Sequence, residues 1–103
     1  METRVLAHFA KLYPHYSFNK PDVSANLFEL TTDFMYNLEA DLRDEDILAF
    51  YSLINKMIDT GESTIINVVT AGILIKLNSQ HYSRIVSKKH LRGRALDIFN
   101  ALA

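Results

Sequence analysis

Apolar positions recur three and four residues apart along most of the 103-residue chain, the period of helices with one buried face. From Glu2 to Tyr13, the residues Val5, Leu6, Phe9 and Leu12 share one side, and Pro14 stops the run. A connection rich in aromatics, His15 to Asn19, leads to Pro21, which suits the start of a second helix behind Asn19 or Lys20. Leu27, Leu30, Thr31, Phe34 and Leu38 line the inner face of that helix, which should run to about Ala40. Tyr36 falls roughly 180° from Leu27, so it is expected to be exposed beside Glu29 and Asp33. Asp44 suits the N-cap of a third helix, with Glu45 and Asp46 in its first turn facing the positive end of the dipole. Ile47, Phe50, Tyr51, Ile54, Met57 and Ile58 form its inner face, and Gly61 is its stop. Its other face carries Glu45, Leu48, Ser52, Asn55 and Asp59.

The next stretch, Ile65 to Leu77, is rich in β-branched residues, which would also suit a pair of short strands. Its length without a turn signal and its lack of alternation point instead to a helix apolar nearly all round, capped by Ser63 or Thr64. Such a helix belongs at the centre of the core, with Gly72 allowing a neighbour to approach closely. Asn78 to Gln80 breaks the chain before a short helical turn, His81 to Val86. Ser87 is then expected to cap a last helix buried through Leu91, Ala95, Ile98 and Leu102, with Phe99 beside them and Gly93 a weak point. The fold expected is all-α: a single compact bundle of five to six helices around an apolar central helix, one domain over residues 1–103.

Charge adds what periodicity does not show. Between Asp22 and Glu62 ten acidic residues face only Arg43 and Lys56, a net −8. From Lys76 onward six cations face Asp97 alone, a net +5. A total charge of −1 therefore hides an acidic middle and a basic end, which points to charged partners. Composition is that of an ordinary soluble globular protein, and no leader pattern opens the chain. No apolar run is long enough to span a bilayer. A cytoplasmic protein is expected.

Catalytic and cofactor chemistry finds little to work with. The chain has no cysteine, which removes disulfides, thiol catalysis and Cys-ligated metals together. His8, His15, His81 and His90 show no metal-ligand spacing on a helix, and there is no phosphate loop or nucleophile elbow. A calcium loop begun at Asp44 or Asp41 lacks its sixth-position glycine. Acid–base work by Asp41 and Glu45 would need a shielded pocket that nothing in the sequence indicates. No enzyme activity, metal or cofactor is expected. Lys88, Lys89, Arg92 and Arg94, with His90, have the charge for phosphate contacts but no interleaved aromatics. Placed at the start of the last helix, they would sit at the wrong end of its dipole. Nucleic acid is therefore the least favoured partner, behind a helical adaptor that forms oligomers.

Three segments carry a resemblance: the helix from Asp44 to Ile58, the stretch from Glu62 through Gly72 to Leu74, and the closing run His90 to Leu96. They span somewhat over half the chain. In these it resembles the small all-α immunity proteins of bacterial contact-dependent growth-inhibition and other polymorphic toxin systems. The resemblance implies a non-enzymatic inhibitor that occludes a cognate toxin domain, basic and nuclease-like, with no small-molecule substrate and no membrane role. It transfers no residue by motif. Expected exposure and charge place the contact on Tyr36, Glu39, Asp41, Asp44, Glu45, Leu48, Asp59 and Glu62. The carboxylates would pair with toxin Lys or Arg while Tyr36 and Leu48 anchor.

Overall fold

The computed structural model describes residues 2–102, and side chains from residue 4 to residue 102. Six helices form, and no strand occurs among the described residues. They are α1 (Glu2–Leu12), α2 (Val23–Glu39), α3 (Asp44–Asp59), α4 over residues 63–77, α5 (His81–His90) and α6 (Gly93–Ala101). The radius of gyration, 12.4 Å, matches the ~13 Å of a compact chain of this length. The all-α architecture is as the periodicity predicts, whereas α4 is buried on one side and exposed at Asn67, Ala71 and Ile75. No helix among the described residues is long and apolar enough to cross a membrane.

The core centres on Phe50 of α3. Its ring stacks on Phe34 of α2 with centroids 3.8 Å apart, and meets Phe9, Tyr13 and Tyr51 edge-on. Edge-to-face and stacked pairs add to the area they bury, so this cluster ties α1, α2 and α3 at one point. A second tie fastens α3 to α5: the buried hydroxyls of Tyr51 and Ser87 lie 2.7 Å apart, and His90 stacks on Tyr51. Burial holds the Tyr51 phenol protonated far above its ordinary range, against a weaker opposing effect of the Ser87 hydrogen bond.

The central helix α4 is not a plain α-helix. It is α-helical over Ser63–Val69, widens into a π-turn over Thr70–Leu74, and returns to α over Ile75–Leu77. A π-turn inserts one extra residue and rotates the faces that follow. Gly72 here lies so close to α2 that an added Cβ would be 2.7 Å from the Leu27 Cβ and 2.9 Å from the Ser24 carbonyl oxygen. The close approach expected at Gly72 is thus present.

Several boundaries differ from the sequence expectation. Helix α2 starts two residues after Pro21: Asp22 is its N-cap and accepts from the Ser24 N–H. Asp44 is the first residue inside α3 rather than its cap, which is Arg43, and Glu62 takes the place expected of Ser63 or Thr64. Ser87 caps nothing. It is buried inside α5, because Tyr51 supplies a partner thirty-six residues away. Lys88, Lys89 and His90 consequently occupy the last turn of α5, where the dipole favours cations.

Asn26 closes the loop before α2. Its side chain is buried, accepts from the Lys20 N–H at 2.9 Å, and donates to the Lys20 and Asp22 carbonyls. Asn26→Ala would strand the Lys20 peptide group in a partly buried setting. We expect a loss of about 2 kcal/mol, read as a lower urea midpoint with an unchanged slope. A loss under about 0.5 kcal/mol would mean that water replaces the side chain freely.

Candidate partner interface

The eight candidate residues do not form one patch. Tyr36 and Glu39 are one turn apart on the outer face at the end of α2, and Tyr36 is 76% exposed. Asp41 lies in the link, while Asp44, Glu45 and Leu48 follow on the first turns of α3, with Leu48 55% exposed. These six make an acidic corner where α2 passes into α3. Asp59 shares the helical face of Leu48 but lies eleven residues on, about 16 Å along the axis. Glu62 is farther still, beyond Gly61, and pairs with Arg4 at 3.3 Å.

Between Leu48 and Asp59 the face is already occupied. Asn55, on that polar face, donates to the His90 carbonyl at 3.1 Å and accepts from the Arg92 N–H at 3.0 Å. It clasps the link between α5 and α6 onto α3, so Asp59 and Glu62 are separated from the corner.

Within the corner the acidic residues differ in what their positions explain. Asp44, Glu45 and Asp46 occupy the first turn of α3, where the dipole stabilises carboxylates. Glu45 and Asp46 also share Arg43, at 2.9 Å and 3.2 Å. The hydrogen bond to Asp46 above all, then the charges of Asp46 and Glu45, raise the pKa of the Arg43 guanidinium. Glu39 and Asp41 have no such explanation. They stand at the negative end of α2, whose last turn has no basic residue. Among the described residues neither makes an ion pair.

Asp41 carries a further cost. Its φ of 73° is in the left-handed region, just past the Ala40 C-cap of α2. Glycine is usual there because a Cβ is strained in that conformation, though Asp tolerates it better than most. The chain uses Gly61 in that way after α3. Asp41→Gly should raise stability by about 0.5–1 kcal/mol, by releasing both the strain and the adverse charge. Thermal unfolding at two salt concentrations checks this, since the charge contribution shrinks in high salt while the strain contribution remains.

Among the described residues no ion pair joins the cations of residues 76–102 to the segment from Asp22 to Glu62. Several of those cations instead serve the fold. Arg84 donates to the Asn78 carbonyl and side chain, and Arg92 to the Lys89 and Leu91 carbonyls. Lys76 sits over the Phe28 ring, 5.0 Å from its centroid.

Beside the corner lies a cleft that the sequence did not reveal, of about 320 Å³, between the end of α1 and the α2–α3 corner. Tyr13 and Tyr16, on the turn after α1, bring their rings to Asp33 and Asn37 of α2 and Asp46 of α3. Burial first, then the Asp46 charge, raises the Tyr13 phenol far above its ordinary range. Tyr16 is pushed up to about 12 by burial, then by the charges of Asp33 and Glu29 and by hydrogen bonding to Asp33. Its hydroxyl oxygen is buried, with the Asp33 carboxylate beside it. The only sequence sign of this cleft was the crowding of aromatics around Pro14.

Comparison with known protein families, curated protein sequences and solved structures returns no match. Fold and geometry define a small all-α protein with an exposed acidic corner, an aromatic and an aliphatic side chain at its edge, and a cleft of mixed apolar and polar lining alongside.

Proposed function

We propose that this chain is a binding protein rather than an enzyme: an immunity-type inhibitor whose α2–α3 corner covers a basic surface on a cognate toxin domain. One observation carries the reading. Glu39 and Asp41 are held where the helix dipole opposes them, Asp41 in a backbone conformation suited to glycine, and among the described residues neither pairs with a cation to offset this. Local rules broken together at one exposed place, without internal compensation, mark a surface shaped by something other than stability. Tyr36 and Leu48 fit the same role, since exposed aromatic and aliphatic groups beside charges anchor interfaces.

A basic, nucleic-acid-cutting toxin suits the corner because its cleft would attract carboxylates as it attracts phosphates. Dipole-favoured placement of Lys88 and Lys89, and the backbone contacts of Arg84 and Arg92, give most of the basic end a structural task. This lowers the nucleic-acid reading. The adaptor reading has no observation of its own in its favour.

The test is co-expression with the products of neighbouring open reading frames. Co-purification of one basic protein, at constant stoichiometry through gel filtration, is the expected result. Recovery of the chain alone as a dimer, or of nucleic acid, would contradict it.

A further inference from the structure

We infer that the cleft between Tyr16, Asp33, Asn37 and Asp46 is a receptor for one arginine side chain of the protein partner. The inference deepens the proposed function and rests on the partner being a basic protein. Its volume, about 320 Å³, is at the lower limit of ligand clefts (roughly 300–1,000 Å³), suited to a side chain more than to a cofactor. The lining is mixed in a way that fits a guanidinium. Asp33 and Asp46 bring two carboxylates, Asn37 an amide, and Phe34 and the tyrosines aromatic surface.

Among the described residues the Asp33 and Asn37 side chains make no ion pair, the Asn37 side chain makes no hydrogen bond, and the buried Tyr16 hydroxyl has the Asp33 carboxylate beside it. Asp46 gives one oxygen to Arg43 at 3.2 Å, leaving the other free. Unpaired acceptors on more than one wall match the planar fork of five donors that arginine alone presents, and aromatic walls suit its weakly hydrated faces. An ammonium would satisfy fewer of them. Asn37 and Asp46 of the lining are the chain neighbours of Tyr36 and Glu45, so an arginine seated there would hold its protein beside the acidic corner.

Titration of ¹⁵N-labelled protein with acetyl-Gly-Arg-Gly-amide, followed by NMR, tests this without knowledge of the partner. The Asn37 side-chain amide and the Tyr13 and Tyr16 backbone amides should shift together. The citrulline peptide, neutral and nearly the same shape, should bind at least about tenfold more weakly. Asp33→Asn, at an exposed carboxylate that makes no ion pair among the described residues, should keep the melting temperature and weaken the arginine peptide about fivefold. No shifts at these residues would overturn the inference. So would shifts confined to residues 39–45, equal binding of citrulline or lysine peptides, or indifference to Asp33→Asn. The two proposals fail separately. A partner that binds Asp33→Asn as tightly as wild type removes the cleft alone, whereas specific peptide binding without any toxin partner removes the inhibitor reading alone.

Discussion

Phe50→Ala should leave the chain largely unfolded at room temperature in mild denaturant. Phe50 is fully buried and is the one ring that touches four others, on three helices and the turn after α1. Its removal costs transfer free energy, a cavity and the aromatic pair contributions, together about 3–5 kcal/mol. A domain of this size has about 5–15 kcal/mol in total, so most of the margin goes. Collapse of α2 onto the hole is restricted, because Gly72 already brings α4 against Leu27 and Ser24. The chain has no tryptophan, so circular dichroism against urea is the direct readout. A fall in stability below about 1 kcal/mol would show that Phe34 and Tyr51 repack, and that the cluster does not hold the three helices together.

The second large effect is on binding. Replacing Glu39, Asp41, Asp44 and Glu45 by their amides should weaken partner affinity roughly a thousandfold. Exposed ion pairs are worth up to about 1 kcal/mol each, so four together approach 4 kcal/mol. Part of the loss should be in the association rate, and the remaining binding should depend less on salt. Stability should hardly move. Losing Glu39 and Asp41 relieves the C-terminal end of α2, while losing Asp44 and Glu45 costs the N-terminal end of α3 a similar amount. Calorimetry with the purified partner at low and high salt measures this. A drop below about tenfold would place the contact elsewhere.

Much of this architecture can be read from the chain because it follows from local periodicity. The inner faces of α2 and α3, the exposure of Tyr36 and the close approach at Gly72 all depend on spacing within one helix. What spacing misses depends on partners distant in sequence. Ser87 reads as a cap until Tyr51 meets it, and spacing alone does not show that the α5–α6 link docks on Asn55. The π-turn reflects how α4 must rotate to meet α2 and has no signature in its residue types. For the site, charge counting found the acidic corner but also gathered in Asp59 and Glu62, which the fold sets at the far end of α3. It could not see that Asp41 is left-handed, nor that the turn after Pro14 carries two tyrosines to Asp33 and Asp46.

The central claim is that the acidic corner neutralises a toxin, and growth of cells expressing that toxin tests it most directly. Cells carrying the wild-type chain should grow, and cells carrying the folded Glu39→Gln, Asp41→Asn, Asp44→Asn, Glu45→Gln variant at equal abundance should not. Equal protection by both would contradict the account, because the corner would then be dispensable for whatever the chain does.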